Sequence, residues 1–346
     1  MSLKTGPMSA RRTLLGAIAS SPLWFGPAWA ASQSMKISHQ FPGGSVMEGD
    51  FRDRLCRMFA ADVEKRTRGS LKFSIYPNAS LMAPNAQFSA LKKGGLDLAL
   101  VPLSYAAAES PEANIGLMPG LVTSYAQGYG WKNAEVGKEL TRILAEQGLV
   151  VVSWIWQAGG VASRGAPIIA PEDARGMKVR GGSREMDLIL QEAGATIVNV
   201  PSNDIHGAMK SGALDAAFTS STSLISFRLQ DVSRSLTTAR SGGYWYMLEP
   251  LMMSKTVFDR LSRDQQAAIM AVGADLEKFA LRMAQGDDAA VANVYARAGA
   301  RVVDMDRETL TKWQDMARTT AWASFAARNE NCARLLALAE KSIAAM

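Results

Sequence analysis

From residue 35 onward, short strand-like runs alternate with helical ones, and this alternation constrains the fold more than any other feature of the chain. Residues 35–39 read as a first strand, and residues 71–76 alternate apolar and polar side chains as a half-buried strand does. Between them, Phe51, Leu55, Met58, Phe59 and Val63 recur at helical spacing, which predicts a helix over 51–68. A short helix over 84–93 ends at Gly94-Gly95; a buried strand over 96–103, a helix over 125–147 and a strand over 149–156 follow. A second unit runs from about 160 to 241. It holds a strand ending at Arg180, a helix over 183–193, a strand over 195–198, a helix over 203–210 and a strand over 214–218. The aromatic-rich extended run 244–253 reads as a strand returning to the first unit, so the two units are joined more than once. Residues 264–298 are continuously helical, with Gly273 and Gly286 as candidate bends, and helices over 307–328 and 331–345 close the chain. The fold class is α/β, with no internal repeat of 20–50 residues.

Residues 1–30 read as an export signal. Lys4, Arg11 and Arg12 supply the charge, residues 14–29 are mostly apolar, and Ala28-Trp29-Ala30 fits a small-x-small cleavage site. Ser20, Ser21, Pro22 and Pro27 interrupt the apolar run, which makes it a poor membrane-spanning helix. Arg11-Arg12-Thr13-Leu14-Leu15 looks like a twin-arginine signal, and a general secretory signal is the alternative. Either route leaves a chain starting near Ala31 outside the cytoplasm. Losing three basic residues and no acidic one lowers the net charge from +6 to +3, too little to suggest a nucleic-acid partner. The remaining residues, about 315, are enough for two domains with separate cores. Cys56 and Cys332 can pair in an oxidising compartment or stay as buried thiols. His39 and His206 have no carboxylates beside them at metal-site spacing, so they read as structural or surface residues and no metal is expected.

The stretch from Pro171 to Arg180 carries the most chemistry. Turn and helix-start residues lead into a short alternating strand ending in Arg180, then Gly181-Gly182, then Ser183 opening a helix. A strand-end arginine beside a flexible turn can offer its planar fork to a carboxylate. It can equally pair with a neighbouring acid such as Glu185. Ser183, Thr219 and Ser220 each fall at a strand-to-helix junction, where capping and anion binding are compatible. No G-x-S-x-G, phosphate loop, dinucleotide fingerprint or zinc motif is present, and no cofactor or catalytic residue is expected.

The same stretch resembles the E-D-x-x-G-x-K-x-R segment of the substrate-binding subunits of TRAP (tripartite ATP-independent periplasmic) transporters. Tyr76-Pro77 with Leu81 is similar to that family's Y-P-x-x-x-L turn, and Leu91, Gly94, Asp97 and Ala99 to its L-x-x-G-x-x-D-x-A segment. Gly194-Ala195, Val200-Pro201, the run from Met209 to Asp215, and Leu251 to Lys255 ahead of Phe258 follow in the family's order. The resemblance implies a two-lobed periplasmic binding protein fold, type II-like, with crossing strands and a long helix spanning both lobes. Lobe I would take residues 31–153 and about 242–280; lobe II would take 154–241, about 281–346 and the C-terminal helices. It also implies that Arg180 holds the solute's carboxylate. Two departures stand out. Many relatives that bind sialic-type acids have a second arginine about twenty positions before Arg180, where this chain reads Trp156-Gln157-Ala158-Gly159-Gly160. After Asp215 they carry G-x-E-N, where this chain has Ala216-Ala217-Phe218-Thr219. Gln157 is the polar group placed to stand in for the missing arginine, and Thr219 sits where a solute contact is common. Trp156 and Trp245 are the aromatic candidates for the cleft among runs that are mostly core, and Tyr105, just past a strand, is another.

The expected function is that of a periplasmic receptor, monomeric and not an enzyme, that captures a carboxylate-bearing organic anion and delivers it to the membrane permease subunits of an ion-coupled TRAP transporter. A receptor for another transporter or a sensor, or a periplasmic hydrolase or lyase, are the alternatives. Loss of polar groups disfavours polyhydroxylated sugar acids, and the tryptophans favour a partly apolar or aromatic monocarboxylate.

Overall fold

The structure, a computed structural model, describes residues 1–3, 6, 32–240 and 242–344. The export signal with its twin-arginine pair, and the cleavage site, lie outside the described residues apart from the first few positions. The chain runs β1 (Gln33–His39), α1 (Phe51–Arg66), β2 (Leu71–Tyr76), α2 (Pro84–Lys92) and β3 (Leu98–Leu100). Short 3-10 turns over Leu103–Ala106 and Pro111–Leu117 lead to α3 (Tyr125–Trp131), α4 (Glu135–Glu146), β4 (Leu149–Ser153) and β5 (Trp156–Ser163). Next come β6 (Lys178–Arg180), α5 (Arg184–Glu192), β7 (Thr196–Ile197), α6 (Ile205–Ser211), β8 (Ala216–Ser220), α7 (Ser221–Ser226) and β9 (Ser235–Thr238). The chain finishes with β10 (Tyr246–Leu248), β11 (Leu251–Ser254), α8 (Lys255–Phe258), α9 (Arg263–Arg297), β12 (Arg301–Asp304), α10 (Arg307–Ala317), α11 (Ala323–Ala326) and α12 (Glu330–Ala344).

Two sheets organise these elements. The first has the order β2-β1-β3-β11-β4, and the second β12-β9-β5-β8-β6-β7 with β10 attached to β5. This is the two-lobed α/β architecture expected from the pattern of elements. The predicted strand over 149–156 divides, because β4 belongs to the first sheet and β5 to the second, with only Trp154 and Ile155 between them. The run 244–253 divides in the same way into β10 and β11, so both segments cross from one sheet to the other. The predicted helix over 125–147 is also two helices. A side-chain carbon on Gly137 would lie 2.0 Å from the Trp131 carbonyl oxygen, so the chain folds tightly back on itself there.

Local chemistry explains where the helices begin. The Asp50 carboxylate accepts from the Arg52 backbone N–H at the start of α1. Phe51, Leu55, Phe59 and Val63 then bury one stripe of that helix against the first sheet. α9 starts with a reciprocal Ser262–Gln265 capping box and runs unbroken for 35 residues. It packs on α1 and β4 and also on α7, β5, β9 and β12, so it ties elements of both sheets together. The helix is uninterrupted at both Gly273 and Gly286. Gly273 is instead a point of close approach, where an added carbon would sit 2.2 Å from the Val152 carbonyl oxygen of β4. Gly273→Ala will therefore destabilise the protein by about 1–3 kcal/mol through overpacking, although alanine is the better helix former by about 1 kcal/mol. A denaturant midpoint equal to or above the parent's would show that α9 lifts off β4 without cost.

Cys56 and Cys332 are both free and buried, which decides between the two readings of the cysteines. His39 is buried with its Nε2 3.2 Å from Asp53 Oδ1, a structural role, and His206 is half-buried on α6.

Candidate functional site

Strand directions locate the site. In the first sheet β1, β2 and β3 are parallel, and β4 runs the same way because both β3 and β4 are antiparallel to β11. In the second, β6 is parallel to β8, while β5 is antiparallel to β8 and β9. The end of β4 passes through two residues to the start of β5, so the carboxyl edges of the two sheets meet across the crossing segments. Ligands of open α/β sheets bind outside that edge.

Arg180, the last residue of β6, stands at this edge and is 5% exposed. Its Nε donates to the Val200 carbonyl (3.2 Å), Nη1 to the Phe218 carbonyl (2.7 Å) and Nη2 to the Tyr105 hydroxyl oxygen (3.0 Å). A guanidinium has five N–H donors, so two are left without a protein partner among the described residues. Glu185 is not that partner. It lies on the buried side of α5, 3.4 Å from Arg184 and 3.9 Å from Arg328, and burial pushes its carboxyl up to about 7 against the pull of those arginines. The acid nearest Arg180 in effect is Asp187, raised to about 6 by burial and drawn down by Arg180 and the Gly181 backbone. Gly182 has φ of +94°, and a side-chain carbon there would lie 2.6 Å from Arg180 Nη1. The glycine pair thus lets the backbone pass directly over the guanidinium.

Tyr105 sits on the 3-10 turn over Leu103–Ala106 and also accepts from the Ser202 backbone N–H (3.0 Å). Ser104 donates to the Gly182 carbonyl (3.0 Å), and Ser183 caps α5 while donating to the Leu117 carbonyl (3.1 Å). These contacts pin the Arg180 loop against the turn that follows the first sheet. A groove of about 710 Å³ opens between them, lined by Arg180, Tyr105, Ser104, Gly182, Ser183 and Asp187 among others.

The remaining candidates fall elsewhere along the same edge. Gly159 pairs with Ser220 and Gly160 with Thr219, so Gln157 lies just beyond the carboxyl end of β8, the neighbour of β6. Gln157 donates through Nε2 to the Glu249 carboxylate. Ser220 caps α7, accepting from the Ser223 N–H and donating to the Ser223 hydroxyl. Thr219 is buried in β8, paired with Gly160 of β5. The two tryptophans are committed to packing. Trp156 is edge-on to Trp131 and covers Gly128, and the Trp245 ring lies against Gly159, where any side chain would strike it.

Two functional-looking residues escaped the sequence reading. Arg52 is fully buried at the start of α1, its Nε and Nη2 donating to the Asp50 carboxylate (2.9 and 2.7 Å) and its Nη1 to Glu249 and Ser223 (3.1 Å each). Its carbon Cζ sits 3.6 Å over the Phe41 ring. A signal was present, since Arg52 falls in helical register with Cys56, Phe59 and Val63, all buried. Glu249, between the crossing strands, had none, and burial raises its carboxyl above the usual range against the pull of Arg52.

An arginine fork at the facing edges of two sheets joined by crossing strands is the plan of a solute receptor that encloses its ligand between lobes. The family follows from comparison. Residues 45–329 match the bacterial extracellular solute-binding proteins, family 7, and the chain belongs to that family. A solute-binding protein of Albidiferax ferrireducens is 62% identical over 336 residues, covering 96% of this chain and 99% of the relative. The crystal structure of a TRAP periplasmic solute binding protein from Rhodoferax ferrireducens, with bound malonate, is 64% identical. It superposes with a TM-score of 0.89 over 90% of this chain and 98% of that one. A Bordetella pertussis extracytoplasmic solute receptor binding pyroglutamic acid shares the fold at 20% identity, with a TM-score of 0.80 over 89% of this chain and all of that one. The chain is therefore a solute-binding receptor of the TRAP class, a family of periplasmic proteins.

Proposed function

We propose that this receptor takes a small carboxylate at Arg180, with malonate the first candidate, and delivers it to an ion-coupled TRAP permease. One observation carries the reading: the guanidinium is held on three sides by protein oxygens and keeps two N–H groups for a carboxylate. The malonate held by the 64% identical relative supports a ligand of that size. The packing of Trp156 and Trp245 argues for a compact ligand over the aromatic one first favoured. A hexuronate is not expected, because this chain lacks the second arginine and the G-x-E-N run of the sialic-type relatives, groups that would partner a polyol's hydroxyls. The protein acts as a receptor that releases its ligand unchanged, with no cofactor and no chemistry on it.

The lobes, 31–153 with about 251–280 and 154–248 with about 281–346, the boundary near 242 moving to the β10–β11 crossing because β10 pairs with β5, close by rotation about the crossing segments 153–156 and 248–251. Residues 1–30 carry the chain to the periplasm, with the twin-arginine pair as the export element, and it works as a monomer.

Calorimetry against malonate, simple monocarboxylates and hexuronates tests this. Submicromolar to micromolar binding of malonate is expected, with about 2.7 kcal/mol of added stability at 100 times the dissociation constant. Binding of a hexuronate with no response to any short carboxylate would overturn it. So would scattering curves that superimpose with and without saturating ligand, as far as closure is concerned.

A further inference from the structure

Gln157 is 1% exposed, yet its Oε1 has no hydrogen-bond partner among the described residues. Glu249, also 1% exposed, likewise has an unpartnered Oε1. A buried acceptor left unmade costs about 1–3 kcal/mol, so two adjacent ones at a ligand-binding edge call for a donor. Their placement is not loose. Glu249 Oε2 receives both Gln157 Nε2 and Arg52 Nη1, and the Glu249 backbone N–H donates to the Ile155 carbonyl (2.8 Å). Arg52 in turn is held by Asp50 and stacked on Phe41. A chain of contacts therefore runs from α1 through the crossing segment to the amide of Gln157. In the second sheet β5 and β6 are separated only by β8, so Gln157 and Arg180 belong to strands about 10 Å apart at the same edge. That spacing is on the order of the length of a ligand a few carbons long.

We propose that Gln157 Oε1, set in place by Glu249 and through it by Arg52, reads a hydrogen-bond donor at the far end of the ligand. The preferred ligand is then a short carboxylate that also bears a hydroxyl, an amide N–H or a protonated carboxyl group. Glu249 and Arg52 are positioning residues in this scheme, and Gln157 is the one that meets the ligand. Malonate satisfies it as the singly protonated acid, with one carboxylate on Arg180 and the remaining O–H on Gln157. The proposal rests on the reading that Arg180 takes the carboxylate, and the two can fail separately.

The test is calorimetry of butyrate, its 2-, 3- and 4-hydroxy derivatives and malonamate, on the protein and on Q157L, E249A and E249Q. At least one donor-bearing ligand should bind about tenfold or more tightly than butyrate. In Q157L that ratio should fall to about one. In E249A it should fall partly, and E249Q, which keeps an acceptor for Gln157, should restore it; a purely structural role of Glu249 would lower melting temperature without moving the ratio. If E249A does not fold, Q157L and E249Q still decide. Equal affinity for butyrate and every donor-bearing analogue means that water satisfies Gln157 and overturns this proposal alone. No binding by either series overturns the Arg180 reading, and this one with it.

Discussion

Arg180→Lys will weaken carboxylate binding by about 1.5–3 kcal/mol, roughly 10- to 150-fold, while leaving the protein folded. The charge survives the change, but the geometry does not. The guanidinium uses one N–H each for Val200, Phe218 and Tyr105 and has two left in the plane of the fork. An ammonium has three donors in a tetrahedral arrangement, so it cannot satisfy three fixed oxygens and still grip a carboxylate with two. Gly182 sharpens the effect, since the backbone lies close enough to Nη1 to exclude even a methyl group and holds the fork to one plane. Calorimetry of malonate on folded Arg180→Lys is the check, and an affinity unchanged from the parent's would remove Arg180 from the site.

Arg52→Ala will have the largest effect on stability, a loss of about 3–5 kcal/mol. Removing the guanidinium leaves Asp50 and Glu249 buried without their counter-charge, and the Phe41 ring loses its cation. Burial already holds the Glu249 carboxyl above its usual range, and without Arg52 it must rise further. The sign follows from linkage. A carboxyl whose pKa is higher in the folded than in the unfolded state binds a proton on folding, so its contribution is intact in acid and is lost as pH rises through the folded value. The deficit of Arg52→Ala should therefore be smallest at mildly acid pH and grow toward neutrality. Denaturant titrations of the two proteins across that range measure it. A deficit under 1 kcal/mol at neutral pH would show that the cluster has water access and is not a buried ion pair at all.

Arg180 was legible because its setting is local. A short alternating strand, two glycines and a serine cap at Ser183 are consecutive residues, and the structure uses each as the pattern suggests. The helices beginning near 51 and 264 and the α/β alternation were legible for the same reason, since periodicity depends on neighbours within a turn or two. The division of 149–156 into β4 and β5 was not. A strand's period of two is the same in either sheet, and only the partners β11 and β8 show that the chain changes sheets at Trp154 and Ile155.

The glycines teach the same point. Gly159 and Gly160 read as the place of a missing arginine, but in the fold they admit the Trp245 ring and the Thr237 carbonyl, contacts some 80 residues away in sequence. Trp156 and Trp245 could face core or cleft by alternation alone, and the Trp131 ring and the bare Gly159 backbone turn them inward. The sequence by itself determined the class of fold, the element starts and the strand-end arginine. Only the tertiary structure decided that Arg52, Glu249 and Gln157, spread over about 200 residues, form one polar chain. Burial removes water from each, so each buried charge or amide must find its partner wherever packing brings one.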